Sequence, residues 1–348
     1  MKVLFLCKAS TETGLGHLIR SRSLAIKFHQ NLRHVGEVKF IGIGTRKIIG
    51  RLLGQSTFET DIVDNEQQIQ LEKLYDIIFF DMLTIEEKAV NYLKQYGKFL
   101  VSISPIFNCM KEMDLLFHRS KHINLSEGNV PKKILASLKY AVIQENCSRI
   151  STARYEENLE NQNFPIAISM GGGDAANKTL TLLKSLKNCK IPATFWVMLG
   201  EGYQYSYDSL INEIGKDSQH EIILAKTNKS MWEILKNCVF AILPGGITTY
   251  EAAYAGLPTI NFSENPGKEF IIRELLEEQV CLLAGDLTSE NLNNLNDQLK
   301  TLYNDRVELM KMHLNSKKVL DGKGADRIFE FCQQMVNENA LVEKKSTV

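Results

Sequence analysis

The sequence predicts an α/β protein built from parallel sheets covered by helices, in two Rossmann-like domains. Three observations carry this. Short runs that are apolar throughout, such as Ile77-Ile78-Phe79-Phe80, have the pattern of strands buried on both faces. Between such runs lie segments with apolar residues every three or four positions, as in Ala176, Leu180 and Leu183. The chain also opens twice in the same way. Residues 3–7 and 165–170, about 160 residues apart, each run into a glycine-rich turn.

In the first half the expected strands are 3–7, 38–43, 76–81 and 99–103. In the second half they are 165–170, 193–199, 221–224, 239–243 and 258–262. The polar stretch 151–164 (STARYEENLENQNF) reads as the boundary. It separates an N-terminal domain over 1–155 from a C-terminal domain over 163–335, and the polar tail 340–348 reads as frayed.

Composition narrows the function classes. A chain of 348 residues, 44% hydrophobic and 24% charged, has the make-up of a folded protein long enough for two cores. Forty-one basic residues balance 41 acidic ones. There is then no global electrostatic case for a nucleic acid or an anionic membrane as partner. The seven cysteines are odd in number, scattered and without a CxxC, which is the pattern of reduced thiols and predicts a cytoplasmic location. The opening apolar run is too short for a signal-peptide core, and no later stretch reaches membrane length, so no integral membrane segment is expected.

Three glycine turns carry the candidate chemistry. The first contains Gly14-Leu15-Gly16-His17-Leu18-Ile19-Arg20, after one strand and at the opening of a helix. Its glycines let backbone approach a ligand, and a helix N-terminus favours anions. His17 would take a proton near neutral pH; its bland alternative is a polar residue in an ordinary first turn. The second turn is Gly171-Gly172-Gly173-Asp174, where the glycine amides could meet a phosphate or sugar oxygen and Asp174 could simply be an N-cap. The third runs Gly245-Gly246-Ile247-Thr248-Thr249-Tyr250-Glu251 and stops at Gly256-Leu257-Pro258. A diphosphate would rest on the amides of Gly246 to Thr249, and Glu251 would accept hydrogen bonds from ribose hydroxyls. The alternative for Thr248 and Glu251 is a capping box.

On these residues the sequence resembles the GT-B nucleotide-sugar enzymes. Within them it is similar to the hydrolase of pseudaminic acid biosynthesis and its spore-coat-polysaccharide relatives, the PseG/SpsG group. The Gly-x-Gly-His-x-x-Arg segment ending at Arg20, the run Tyr140-Ala141-Val142-Ile143 and the Gly171–Gly173 turn carry that likeness. The third turn resembles the UDP-binding segment of the MurG-type N-acetylglucosaminyltransferase at Thr248, Glu251 and Gly256-Leu257-Pro258. The resemblance implies two Rossmann-like domains with parallel sheets facing an inter-domain cleft that holds a UDP-sugar. His17 would be the general base, the third turn would hold the diphosphate and Glu251 the ribose. The loop from Asn228 to Met231 would lie against uracil, and Asn265 near the sugar. No metal or cofactor is implied, since helix N-terminal charge can stabilise the leaving diphosphate.

The sequence departs from the hydrolase on the sugar side. Asp81-Met82-Leu83 stands where the group has Asp-His-Tyr, and Ser104-Pro105-Ile106 replaces an acidic pair. The primary expectation is hydrolysis of a UDP-sugar with inversion, in polysaccharide or nonulosonic-acid biosynthesis. The alternatives are inverting transfer to a small-molecule or lipid-linked acceptor, and a non-catalytic nucleotide-sugar-binding protein. The pair His118 and His122 lacks the further ligands a zinc site needs and reads as a partly exposed, charge-rich segment.

Overall fold

A computed structural model describes residues 1–9, 15–33, 35–54, 56–217, 219–226, 231–263 and 266–346. The chain folds into two units. The first contains β1 (Lys2–Ala9), α1 (Gly16–Leu32), β2 (Glu37–Gly44), α2 (Arg46–Leu53), β3 (Glu59–Val63) and β4 (Tyr75–Asp81). It continues with α3 (Glu87–Leu93), β5 (Gly97–Ser102), β6 (Leu115–His118) and β7 (Lys133–Ala136). All its strands are parallel, in the order β3-β2-β1-β4-β5-β6-β7.

The second unit contains α4 (Thr152–Glu160), β8 (Ile166–Ile168), α5 (Lys178–Leu186), β9 (Thr194–Leu199), α6 (Tyr207–Ile214), β10 (Glu221–Lys226) and α7 (Trp232–Leu235). Then follow β11 (Phe240–Leu243), α8 (Ile247–Ala255), β12 (Thr259–Phe262), α9 (Arg273–Glu277), β13 (Cys281–Gly285), α10 (Ser289–Asn304) and α11 (Arg306–Val319). Its parallel sheet runs β10-β9-β8-β11-β12-β13. The last helix, α12 (Gly324–Ser346), belongs to the first unit again.

Both sheets are doubly wound. Strand order reverses between β1 and β4 in one and between β8 and β11 in the other. In such sheets ligands settle outside the carboxyl ends of the strands, at the reversal. The β1 side chains that face α1 pack Phe5 against Phe79 at 4.8 Å, and α12 adds Phe329, 5.1 Å from Phe28. Ile328, Phe329 and Cys332 are part of that same core, so burial of an apolar face is what fixes α12 to the first unit.

Two boundaries therefore differ from the sequence expectation. The units divide after Ile143, and the segment from Gly322 onward joins the first unit, whereas the sequence suggested domains over 1–155 and 163–335. The polar stretch 151–164 conceals α4, which buries Tyr155, Asn158 and Leu159 at helical spacing. Tyr155 donates to the Val239 carbonyl at 2.7 Å and stacks on His313 at 4.3 Å, which holds α4 in the second unit. Of the tail expected to fray, 340–348, residues 340–346 continue α12 through Ser346, and 347–348 lie outside the described residues.

Candidate functional site

At the reversal point of the first sheet, β4 ends on Asp81, which pairs in register with Cys7 of β1. Strand alternation turns Asp81 to the same side as Ile77 and Phe79, the face covered by α1. Helical spacing then brings three residues of α1 to it: His17, Arg20 and Ser21 stand at i, i+3 and i+4. His17 Nδ1 lies 2.5 Å from Asp81 Oδ1. Arg20 donates from Nε to Oδ2 at 3.0 Å and from Nη2 to Oδ1 at 2.5 Å, and Ser21 Oγ donates to Oδ2 at 2.8 Å. From the loop after β5, Ser104 Oγ donates to Oδ1 at 3.0 Å.

This is a carboxylate with every acceptor position filled. Burial alone would raise the Asp81 pKa, but the Arg20 and His17 charges and hydrogen bonds outweigh it and hold the carboxyl well below the usual range. Asp81 is thus an anion with only 1% of its surface exposed. The His17 side chain keeps 17% of its surface exposed. With Nδ1 turned to Asp81, the ring presents Nε2 as its second functional atom, the geometry of a base oriented by a carboxylate. Neighbouring Cys7 is fully buried, and burial together with the Asp81 charge pushes its thiol up, so it stays protonated and is no nucleophile.

At the reversal point of the second sheet two glycine turns meet. Gly171, at φ +88°, follows β8, and a Cβ built on it would lie 3.9 Å from Pro244 Cγ in the turn after β11. Gly172 accepts a hydrogen bond on its carbonyl from the Gly202 amide at 2.8 Å. Gly173 is buried. Asp174 accepts from the amides of Lys178 at 2.7 Å and Thr179 at 3.0 Å, so it caps α5 from four residues upstream, while Asn177 occupies the N-cap position.

In the third turn Gly245 adopts φ +63°, which only glycine takes without strain, and a Cβ there would meet the Phe262 carbonyl at 3.2 Å. Gly246 is the N-cap of α8, and a Cβ on it would meet no atom of the described residues within 4 Å. Ile247 and Thr248 therefore bring the first amides of α8 to an open space at its positive end. Thr249 does not join them. Its amide donates to the Gly246 carbonyl at 3.2 Å, and its buried hydroxyl donates to Asn261 Oδ1 at 2.7 Å.

One turn into α8, Glu251 is 2% exposed. Its Oε1 is buried without a hydrogen-bond partner. Burial pushes its carboxyl pKa up to about 7, against the lowering effect of hydrogen bonds from Gln144. The capping-box alternative fails, because the N-cap is Gly246 and Thr248 lies inside the helix. A buried carboxylate with one unused oxygen, beside helix amides that have no partner among the described residues, can accept hydroxyl hydrogens from a polyol whose anionic group rests on those amides.

The structure thus gathers His17 with Asp81 in one unit. In the other it gathers Gly171, Gly172, Gly173, Gly245, Gly246, Ile247, Thr248 and Glu251 at one sheet edge. Arg20, expected to touch ligand, is 5% exposed with its guanidinium on Asp81. Gly16 is the first residue of α1, and Met231 holds the N-cap of the short α7. Gly14, Asn228 and Asn265 lie outside the described residues. The segment 118–122 is partly exposed, with Lys121 in water and His118 and Ser120 buried; His118 Nδ1 is tied to the Ser120 carbonyl at 2.7 Å, and burial together with the Arg119 charge pulls its pKa to about 4. Sequence reasoning noted Asp81 and Ser104 only as departures. An acidic residue closing an apolar strand next to the first strand was the available signal.

No family model matches the chain. It is 24% identical over 278 residues to "Uncharacterized protein MJ1062" of Methanocaldococcus jannaschii, which covers 76% of this chain and 56% of that protein. The chain thus spans a little over half the length of this curated relative. Among solved structures it is similar to MurG of Acinetobacter baumannii, with TM-score 0.64, 14% identity, and 96% of this chain and 99% of that one covered. It is equally similar to MnaA of S. aureus in complex with UDP, with TM-score 0.64, 14% identity and 97% of each chain covered. The UDP-GlcNAc 2-epimerase of Neisseria meningitidis bound to UDP-GlcNAc follows, with TM-score 0.59, 11% identity, and 96% and 100% coverage. The class defined by these likenesses and by the two doubly wound sheets is the GT-B fold.

Proposed function

We propose that the protein is a UDP-sugar-using enzyme that transfers the sugar to an acceptor hydroxyl with inversion. The observation that carries this reading is the His17–Asp81 pair at the carboxyl edge of the first sheet, an imidazole oriented by a buried carboxylate on a side chain that keeps 17% of its surface exposed. The second unit would bind UDP. Its diphosphate would rest on the amides of Ile247 and Thr248, and its ribose hydroxyls would donate to Glu251 Oε1. Relatives that bind UDP and UDP-GlcNAc support that choice of nucleotide.

The reaction needs one base and one leaving group. The acceptor oxygen forms a bond to the anomeric carbon while His17 Nε2 takes its proton. The bond from that carbon to the diphosphate oxygen breaks, and UDP departs with the electron pair. Asp81 stabilises the imidazolium that forms. The helix N-terminus of α8 offsets charge developing on the diphosphate.

Water in place of the acceptor would give hydrolysis, the reading for which the Gly-x-Gly-His-x-x-Arg segment speaks. Transfer is favoured by the whole-chain likeness to MurG. The sugar side supports it too, since buried Met82 and exposed Leu83 stand where the hydrolase group has histidine and tyrosine. The test is incubation of the pure full-length chain with a panel of UDP-sugars, with and without sugar, lipid-linked and small-molecule acceptors. UDP release that requires acceptor supports transfer. Release at the same rate without any acceptor overturns transfer in favour of hydrolysis, and binding without release overturns catalysis.

A further inference from the structure

We infer that Arg20 is a positioning residue that sets which nitrogen of His17 carries the proton. This rests on the proposed role of His17 as a base. Two contacts compete at Nδ1. That atom lies 2.5 Å from Asp81 Oδ1 and 3.2 Å from Arg20 Nη2. It can donate to the carboxylate or accept from the guanidinium, but it cannot do both.

Three observations decide between them. The contact to Asp81 is much the shorter, as expected of a hydrogen bond to an ionised carboxylate. Arg20 already spends Nε and Nη2 on the two oxygens of Asp81, at 3.0 and 2.5 Å. Both partners of that fork are buried, 5% and 1% exposed, so neither has water as an alternative partner. The planar guanidinium and the Ser21 hydroxyl hold the carboxylate from the side of α1, while Ser104 holds it from the loop after β5. Asp81 is left a single orientation, with Oδ1 facing the imidazole. Nδ1 therefore carries the hydrogen, and Nε2 holds the bare lone pair that a base needs.

Arg20 acts through Asp81 and touches no substrate. A lysine cannot replace it, because an ammonium lacks the two-pronged geometry that spans both carboxylate oxygens. This separates the inference from the sequence expectation that Arg20 contacts ligand, and from a purely structural role.

The test is a long-range proton–nitrogen NMR spectrum of the full chain labelled at histidine nitrogen, with His17 assigned by its loss in His17→Asn. The native protein is expected to show His17 protonated at Nδ1. Arg20→Lys, which keeps a charge beside Asp81, and Arg20→Gln are expected to lose that single tautomer. In parallel, kcat should fall about a hundredfold, the usual consequence of a misplaced catalytic group, while UDP affinity stays unchanged.

An Nε2-protonated His17 in the native chain would overturn the inference, since Arg20 would then be donating to Nδ1. So would variants that keep the native tautomer, or variants whose main defect is weaker UDP binding. If Arg20→Gln does not fold, Arg20→Lys carries the test alone. The tautomer readout needs no substrate, so a chain that turns over no UDP-sugar but shows the tautomer change sinks the proposed reaction and leaves the role of Arg20 standing.

Discussion

Replacing Glu251 with glutamine should make the protein more stable and a poorer UDP binder at the same time. The carboxyl is 2% exposed, and Oε1 has no partner. Burial raises its pKa from the ordinary 4.5 to about 7. At about 1.36 kcal/mol per pKa unit, keeping it ionised costs the free protein about 3 kcal/mol above neutral pH.

The sign follows from proton linkage. Between pH 4.5 and about 7 the folded chain holds a proton that the unfolded chain has lost, so this group makes stability fall as pH rises through that window. Below it both states are protonated and the penalty vanishes. Glu251→Gln removes the charge at nearly constant shape. At pH 8 it should raise stability by about 1–3 kcal/mol, and at pH 4 it should change little.

Ribose hydroxyls would lose a charged acceptor, which weakens UDP binding about ten- to a hundredfold. The assays are urea denaturation of both proteins at the two pH values and calorimetric titration with UDP. A variant less stable than the native chain at pH 8, or one that binds UDP as well as it does, would refute the reasoning.

His17→Ala should lower kcat by about 10²- to 10⁴-fold while leaving UDP affinity within about a factor of two, because its role is proton transfer; steady-state kinetics with calorimetry check both. The two glycines before α8 should respond in opposite ways. Gly246→Ala meets no atom of the described residues within 4 Å, so denaturation should show stability within about 0.5 kcal/mol of native, yet the new methyl occupies the mouth of the helix and should weaken UDP binding. Gly245→Ala combines φ +63° with a 3.2 Å contact to the Phe262 carbonyl, and should cost about 1–2 kcal/mol in the same measurement.

The central strands were legible in the sequence because burial on both faces leaves a continuous apolar run, as in β1 and β4. The missed strands show the limit of that signal. β3 reads ETDIV and β7 reads KILA; both are edge strands with much of their surface in water, so no apolar run marks them. β6 is apolar but only Leu115–His118 long, too short to stand out. Helix α4 was hidden because only three of its nine residues, Tyr155, Asn158 and Leu159, are buried.

At the site, the glycine turns and Glu251 were legible because backbone geometry and helix starts have local signatures. The partnership of His17 with Asp81 was not, since 64 residues separate them and only the β1–β4 pairing joins them. The contact of Arg20 with Asp81 was hidden for the same reason. An arginine one turn after a histidine looks like an anion ligand until the strand that carries its carboxylate is placed beside it.

A crystal structure of the full chain saturated with UDP tests the central claim most directly. The account predicts ribose hydroxyls within hydrogen-bonding reach of Glu251 Oε1 and the diphosphate over the amides of Ile247 and Thr248. UDP seated elsewhere on the chain, or no UDP bound at saturation, would contradict it.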